Sequence, residues 1–460
     1  MARLIAVFLA ALCAAASPVS GEEQEWYPIE STELDEMFVS GSPAKRINMV
    51  FLPEGYGTNK DAFISDANLF FNEGFFHEEP FKTYKAYFNA ANIWVTFKDA
   101  KLAVSDTISG AVYADQIVGK FFPREKSIAL LSVNSLTQGS GIGGLEGGAV
   151  FFIGGATVWG DFVNRPQRQP DTERAYSHYT GAFLHELGHG FAHLGEEYTN
   201  IGTFPVEPRK GDMGYANTTT VTQRDKIRWK HWIDPDTPIP TPNDSAYKNV
   251  VGLFKGAGGK LPDVGMYRPK LDCRMRHHNG VPFCEVCREA LVLEIYRHVT
   301  LIDSTWVDVG ETVTTFNVNL LKPDPNTLTV SWLIDGVEYD YASGASSFRV
   351  SERLLPYGAH AVKVVVRDTT SFVRNDPEKL LVKTYEWPVA VTRSSDFNGD
   401  GKVDLIDFFM FSDVFGTKET AGTVYDKYDL DGSGEVNFPD FFLFADSFGK
   451  PVAPKFKMAW

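Results

Sequence analysis

The stretch His185-Glu186-Leu187-Gly188-His189 decides how this sequence is interpreted. The apolar run Tyr179-Thr180-Gly181-Ala182-Phe183-Leu184 comes directly before it and indicates the entry into a helix. Residues four positions apart share one face of a helix, so both imidazoles can reach a single metal ion. Glu186 lies beside them, where its carboxylate can hold a water molecule.

The spacing H-E-x-x-H is the arrangement in which two histidines bind zinc and the glutamate acts as general base. We therefore predict His185 and His189 as ligands of one catalytic Zn²⁺ and Glu186 as the catalytic residue that takes a proton from water. With ten histidines in 460 residues, a random match occurs in roughly one such chain in a hundred, so the flanking sequence must support the interpretation.

The third zinc ligand is expected just beyond this helix, because a catalytic site takes three protein ligands. His193 would lie about 12 Å from His185 along an unbroken helix, which is too far for one ion. Gly195 can end the helix, since glycine tolerates the left-handed conformation of a C-cap. The chain then turns back, and we expect Glu196 as the third ligand, with Glu197 as the alternative.

Three segments resemble the IgA-peptidase family of zinc metallopeptidases: residues 46–57 (RINMVFLPEGYG), 185–198 (HELGHGFAHLGEEY) and 267–290 (YRPKLDCRMRHHNGVPFCEVCREA). Family members read H-E-x-G-H-x-x-x-G-L-x-D-E-Y, from which this chain departs at His193, where the family has Gly, and at Glu196, where it has Asp. The resemblance runs from about residue 40 to 390 and implies a zinc-dependent endopeptidase of the zincin type that acts on a protein or peptide. Immunoglobulin A is not carried over as the substrate.

The segment around Met275 resembles the Met-turn that lies under the zinc ligands of metzincins. Packing in an ordinary core is the alternative role for this residue. Tyr267 and His277 lie near this turn in sequence, and each is a candidate donor to the oxyanion.

Three cysteines remain after removal of a signal peptide: Cys273, Cys284 and Cys287. In an exported protein we expect one disulfide and one leftover thiol, and the sequence leaves the pairing open. The Cys-x-x-Cys pair alone is weak evidence for a second zinc site, because two more ligands are needed.

Residues 1–20 are predicted to be a secretory signal, with Arg3 before the apolar run 4–16 and small residues at 17–21. The run is too short to span a bilayer. We therefore expect a secreted or extracellular protein, free or attached to the cell surface, without a membrane span. The net charge of −15 argues against nucleic acid as a partner.

Four domains and a tail are predicted for the mature chain. Alternating strands and helices indicate an α/β, zincin-like (metzincin-like) region, divided into an N-terminal α/β domain (21–125) and the zinc metallopeptidase catalytic domain (126–300). Residues 301–392 show β-branched alternation between turns, and Trp332 resembles the core tryptophan of an immunoglobulin-like β-sandwich. A small α-helical module (393–450) and a tail (451–460) follow.

The C-terminal module contains a duplication, because residues 396–416 and 429–449 share 11 of 21 positions. Each copy opens with the spacing of a calcium loop, which supplies oxygen ligands at positions 1, 3, 5, 7, 9 and 12 and glycine at position 6. The first loop offers Asp396, Asn398, Asp400, the carbonyl of Lys402, Asp404 and Asp407. The second offers Asp429, Asp431, Ser433, the carbonyl of Glu435, Asn437 and Asp440. Two Ca²⁺ ions are therefore predicted.

The duplicated loop–helix units resemble the dockerin family, whose modules fold on calcium and bind a cohesin partner. Leu405-Ile406 and Phe438-Pro439 stand where cellulosomal dockerins carry polar residues. The resemblance implies a cohesin-like docking partner, and a calcium-stabilised module without a docking role is the alternative.

The function predicted from these patterns is a secreted zinc metalloendopeptidase that hydrolyses peptide bonds with an activated water molecule. The alternative is a secreted, calcium-loaded surface-binding or adhesion protein whose peptidase domain is degenerate. The intact H-E-x-x-H favours the enzyme.

Overall fold

The computed structural model describes residues 29–54, 56–98, 117–133, 140–142, 149–154, 172–199, 212–259, 265–277, 280–310, 313–351, 355, 358–420, 422–450, 452 and 456–458. The predicted signal peptide lies outside the described residues. The α-helices are α1 (Lys60–Leu69), α2 (Thr172–Ala192), α3 (Glu285–His298), α4 (Leu405–Ser412) and α5 (Phe438–Ser447). None of the described helices combines the length and apolar composition that a bilayer crossing needs.

The strands of the first three hundred residues are β1 (Ile29–Phe38), β2 (Ile47–Glu54), β3 (Phe88–Phe97), β4 (Ser127–Val133), β5 (Ser140–Ile142), β6 (Ala149–Gly154), β7 (Phe254–Ala257) and β8 (Met266–Arg268). Those that follow are β9 (Ile302–Val309), β10 (Val313–Leu320), β11 (Leu328–Ile334), β12 (Val337–Glu338), β13 (Ser347–Ser351), β14 (Gly358–Asp368), β15 (Val382–Val391) and β16 (Phe456–Met458).

The first six strands form one mixed sheet in the order β1-β3-β2-β4-β6-β5. The four inner strands run parallel, and the edge strands β1 and β5 are antiparallel to their neighbours. Residues 21–125 and 126–300, predicted to be separate domains, therefore share one sheet, since β4 pairs along its length with β2. The predicted boundary at residue 125 is revised accordingly.

Helix α2 packs against the end of this sheet formed by β5 and β6, and it also contacts α3. Phe183, Leu184 and Leu187 are buried on its inner face, and the Phe183 ring meets that of Phe70 edge to face at 5.0 Å. Burial of these three apolar side chains fixes the rotation of α2 about its axis. The rotation in turn sets the direction of the polar side chains that lie among them in sequence.

Residues 302–391 form two antiparallel sheets, ordered β13-β10-β9 and β12-β11-β14-β15-β16. Trp332 of β11 is fully buried, stacks on Trp387 at 5.7 Å and contacts Phe348 of β13 at 5.4 Å. Since β11 and β13 belong to different sheets, these rings join the two layers of a sandwich. The described part of the predicted tail supplies β16, which pairs with β15.

A buried network of hydroxyls joins the region of residues 29–298 to the sandwich. Asp368, at the end of β14, accepts hydrogen bonds from Tyr84 at 2.7 Å and from Tyr296 at 2.6 Å. Tyr87 lies 3.0 Å from the Tyr296 hydroxyl and donates to the carbonyl of Leu321. The two regions therefore share one continuous core.

The C-terminal module has a small core of its own, packed mainly from aromatic side chains of its two repeats. Asp404 accepts a hydrogen bond from the backbone of Ile406 and so caps the start of α4. The buried residues of this core are Phe397, Val403, Phe411, Tyr428, Val436 and Phe444.

Candidate active site and metal centres

The helix that carries the candidate ligands ends earlier than the sequence suggested. Helix α2 stops at Ala192, and His193 is exposed with φ +50°, in the left-handed region. The predicted helix end at Gly195 is thus wrong. Gly195 is needed for a different reason, because a Cβ there would lie 2.7 Å from the Tyr215 ring and 2.8 Å from Thr218 Oγ1.

The early end turns the chain back so that Glu196 meets both imidazoles. Glu196 Oε2 lies 3.1 Å from His185 Nε2, and Glu196 Oε1 lies 3.3 Å from His189 Nε2. The two Nε2 atoms are themselves 3.1 Å apart, and the rings are nearly perpendicular. The structure thus brings together the two predicted histidines and the preferred third ligand.

Backbone carbonyls determine which nitrogen of each histidine carries the proton. His185 Nδ1 lies 3.0 Å from the carbonyl of Arg274, and His189 Nδ1 lies 2.6 Å from that of Leu194. A carbonyl can only accept, so each Nδ1 donates, and in the neutral imidazole each Nε2 offers a lone pair.

Two lone pairs and a carboxylate therefore converge on one point. Glu196 Oε2 is buried and has no satisfactory hydrogen bond. A zinc ion fits these donors, because two nitrogens bound to zinc at tetrahedral angles lie about 3.3 Å apart. Without a metal ion, protonated imidazoles can donate from Nε2 to Glu196: burial would raise the pKa of this acid, but hydrogen bonds from His185 and His189 in that state outweigh burial and hold the pKa far below its usual value.

The same proximity changes the pKa of His189. Burial alone would lower this pKa, but the hydrogen bond and charge of Glu196 raise it above the usual value. The charge of Glu186 acts in the same direction on His189 and also contributes to the raised pKa of Tyr198. The half-buried Glu186 is therefore close enough to His189 and Tyr198 for its charge to act on both.

Tyr198 is a site residue that the sequence interpretation did not select. Its hydroxyl donates to Glu196 Oε1 at 3.0 Å, and its ring stacks on that of His185 at 6.3 Å. Burial and the charge of Glu196 raise its pKa, so the hydroxyl remains a donor at neutral pH. It also lines a cavity of about 490 Å³. The tyrosine at the end of the family pattern H-E-x-G-H-x-x-x-G-L-x-D-E-Y was the sequence signal that could have identified this residue.

The contacts described for the two predicted oxyanion donors do not include the histidines. Tyr267 pairs through its backbone with Thr219, and His277 Nε2 lies 3.5 Å from Asp272 Oδ1. His277 lines the same cavity as Tyr198. Burial and the nearby Arg276 lower the pKa of His277. Neither residue is seen to contact Glu196, whereas Tyr198 does.

Met275 lies beneath the helix, as a Met-turn would. It is fully buried, and a Cβ added to Gly188 would lie only 2.6 Å from its Sδ. Its carbonyl accepts a hydrogen bond from the backbone of Glu197 at 2.9 Å. The turn therefore contacts both helix α2 and the segment that carries Glu196 and Glu197.

Glu197 faces away from the histidines. It is fully buried, and its Oε1 accepts hydrogen bonds from Asn217 Nδ2 at 2.8 Å and from Cys287 Sγ at 3.1 Å. Burial and the nearby Cys284 raise the pKa of Glu197 to about 8. Of the two acids left open by the sequence, Glu196 is therefore the one near His185 and His189.

The expected disulfide is not formed. Cys273, Cys284 and Cys287 are all free and buried, and the Sγ atoms of Cys273 and Cys287 are 3.6 Å apart. A disulfide bond would bring two sulfurs to about 2.05 Å. The three thiols instead surround the carboxylate of Glu197.

The carboxylates of the second calcium loop also converge. Oxygens of Asp429, Asp431 and Asp440 lie within 4.8 Å of one another. Thr420 and the backbone of Gly434 donate to Asp429, while the backbone of Asn437 donates to Asp440. Burial raises the pKa of Asp440, and the charges of Asp431 and Asp429 act in the same direction.

The first calcium loop has the same backbone arrangement. Asp396 accepts hydrogen bonds from the backbone of Asp400 and Gly401, and Asp407 accepts from Asn398 and Asp404. Lys402 and Glu435 stand at equivalent points of the two loops, and Ser433 donates to the Glu435 carbonyl at 3.2 Å. The two loops therefore share the same pattern of backbone hydrogen bonds to their first and last acids.

Two protein-family models match the chain. The family model for IgA Peptidase M64 matches residues 36–248 and 243–295, and that for the Dockerin type I domain matches residues 394–445. No curated protein matches the chain. The first match covers more than half of the sequence and includes every residue of the histidine site, and the chain therefore belongs to the IgA Peptidase M64 family, with a dockerin domain at its C-terminal end.

Proposed function

We propose that this protein is a zinc-dependent metalloendopeptidase whose metal ligands are His185, His189 and Glu196. Family membership supports peptidase activity. The observation that carries the zinc assignment is the convergence, within about 3 Å of one another, of two Nε2 atoms whose rings donate through Nδ1 to backbone carbonyls and a carboxylate oxygen without a hydrogen-bond partner. Such a donor set repels itself unless a cation neutralises it.

Bound there, zinc would polarise the scissile carbonyl and lower the pKa of a water molecule. Glu186 accepts the proton of the attacking water and passes it to the leaving amine. Tyr198, whose hydroxyl donates to Glu196 in the free protein, would redirect this one proton to the developing oxyanion, in place of the Tyr267 and His277 considered from the sequence. The cavity beside Tyr198 then receives the substrate chain.

The test of this proposal is Glu186→Gln, which keeps the side-chain volume and removes the base. We expect full zinc content and a loss of hydrolysis of roughly 10²- to 10⁴-fold. Glu36→Gln, an exposed glutamate on β1, is the control and should retain full activity. Residual hydrolysis by Glu186→Gln above a few per cent of the wild-type rate, with zinc in place, would remove Glu186 from the mechanism.

The sandwich of residues 302–391 supports a further proposal, an immunoglobulin-like domain that stiffens the catalytic region. Its buried Trp332 joins the two sheets, and its Asp368 is hydrogen-bonded to Tyr84 and Tyr296 of the peptidase region. These contacts favour a scaffold that holds the peptidase core rather than a freely moving appendage.

The dockerin domain would attach this enzyme, outside the cell, to a cohesin-like partner. Dockerin domains imply such a partner and bind calcium. In this chain, the surfaces of α4 and α5 expose large apolar side chains, which favour a docking surface with an apolar centre. These side chains are Leu405, Ile406, Phe409, Phe438, Phe442 and Leu443.

Docking is tested by calcium-dependent capture on cohesin domains. We expect wild-type protein to bind in calcium, and Phe409→Asp/Phe442→Asp to lose binding while its fold, followed by circular dichroism, is kept. Equal capture of both proteins would contradict this surface.

A further inference from the structure

A second cluster of metal-ligating side chains lies directly behind the histidine site. Glu197, Cys273, Cys284 and Cys287 each place one ligand atom within 4.8 Å of the others, and all four residues are buried. The histidine site does not use any of them. The question is what holds three thiols and an acid together away from water.

Hydrogen bonds within the cluster do not satisfy all of its polar atoms. Cys287 donates to Glu197 Oε1 at 3.1 Å and Asn217 donates to the same oxygen, but Glu197 Oε2 is buried without a hydrogen-bond partner. A disulfide would use two sulfurs and still leave a third thiol beside that oxygen. Leaving a buried carboxylate oxygen without a partner costs free energy in either case.

A divalent cation satisfies all four groups. Two sulfurs bound to zinc at tetrahedral angles lie about 3.8 Å apart, close to the 3.6 Å between Cys273 and Cys287. Thiolates select zinc over calcium or magnesium, and four protein ligands with no open position are typical of structural zinc.

The surroundings favour the deprotonated ligands that zinc needs. Cys284 is the N-cap of α3 and Cys287 lies in its first turn, where the partial positive charge of the helix terminus stabilises thiolates. The backbone N–H of Cys284 points to Cys273 Sγ at 3.3 Å. Arg268, buried nearby, supplies a full positive charge.

We infer that Glu197, Cys273, Cys284 and Cys287 form a second, structural zinc site. This zinc site would join three parts of the fold: the segment that carries Glu196 and Glu197, the turn at Met275 and the start of α3. Arg274, directly after Cys273, orients His185 through its carbonyl, and Met275 accepts the backbone N–H of Glu197. The cluster therefore acts as a positioning element for the histidine site, through the backbone on either side of Cys273.

The test uses metal content and cobalt spectra, which do not depend on peptidase activity. The full chain, loaded with zinc, should hold two zinc ions, and His185→Ala/His189→Ala should retain one. After replacement of zinc by Co²⁺, both proteins should show the same strong thiolate-to-cobalt charge-transfer absorption in the near ultraviolet. Cys284→Ser/Cys287→Ser should lose this absorption and show a melting temperature lower by more than about 10 °C.

Two outcomes would overturn the inference, and neither needs the cysteine variant to fold. One is a His185→Ala/His189→Ala protein without zinc and without the charge-transfer band. The other is an intact mass lower by two hydrogen atoms, which would show a disulfide among the three cysteines. Failure of the proposed peptidase would be seen separately, as wild-type protein with both zinc ions and no hydrolysis.

Discussion

Glu196 and Glu197 are consecutive residues whose carboxylates face opposite clusters. Glu196 lies 3.1 Å from His185 Nε2, and Glu197 lies 3.1 Å from Cys287 Sγ. The backbone of residues 196–198 accepts hydrogen bonds from Gly258 and Gly259, which keeps this segment extended. Neighbouring side chains of an extended segment point to opposite sides, so one short stretch serves both clusters.

The first prediction is that substitutions of these two acids have different effects. Glu196→Ala should lower kcat/KM at least about a thousand-fold, because the variant loses a zinc ligand and with it the polarisation of the substrate carbonyl. Glu197→Ala should chiefly lower stability, because it removes the carboxylate that lies among the thiols of Cys273, Cys284 and Cys287. We expect kcat/KM to separate the first variant from wild type and the melting temperature to separate the second. Equal effects of both substitutions on both quantities would contradict this division.

The sequence predicted the local parts of this site and missed the tertiary ones. Spacing on a helix was enough to pair His185 with His189, whose Nε2 atoms lie 3.1 Å apart. The role of Tyr198 depends on a turn whose geometry no short pattern records. The convergence of Cys273 and Cys287 on Glu197 joins segments about ninety residues apart in the chain. Such contacts follow from packing of the whole region, and periodicity does not encode them.

The second prediction concerns His193, where the backbone conformation of this chain differs from what its side chain favours. It adopts φ +50°, a conformation that costs a non-glycine residue free energy, and the family pattern has Gly here. We expect His193→Gly to raise the free energy of unfolding by about 0.5–1 kcal/mol without loss of activity. His193→Ala is the control, since it removes the imidazole and keeps the strain. Urea unfolding of both variants measures the difference; a gain in the alanine variant alone would point to the imidazole instead.

The third prediction concerns Glu289, which joins α3 to the sandwich. Its carboxylate accepts hydrogen bonds from His231 and Trp232 at 2.6 and 2.8 Å and from the backbone of Arg374 and Asn375 at 2.7 and 2.9 Å. Burial alone would raise the pKa of Glu289, but these four donors outweigh burial and lower it. Folding therefore favours the ionised form.

The sign of the pH dependence follows from this shift. With the folded pKa below the unfolded value of about 4.5, the stabilisation is complete above that pH and is lost as the pH falls through the folded pKa. Glu289→Gln should lower the free energy of unfolding by about 3 kcal/mol at pH 7, and the deficit should shrink below pH 4.5. Urea unfolding between pH 7 and pH 3 measures both. Glu378→Gln, at an exposed ion pair with Arg297, should change stability by less than about 1 kcal/mol.

The fourth prediction is that the C-terminal module folds on calcium independently of the peptidase core. Among the described residues, its core contains six buried apolar side chains, and the clustered acids of the second loop repel one another without a cation. Asp400→Ala/Asp431→Ala removes one ligand from each loop without a chelator, so zinc is undisturbed. We expect amide exchange in residues 397–448 to lose its protection while helix α2 keeps its own. Lys402→Ala is the matched control, because position 7 supplies a backbone carbonyl and the exposed side chain is not a ligand. Unchanged protection in the double variant at calcium concentrations that saturate the wild type would show that this module is held by its aromatic core alone.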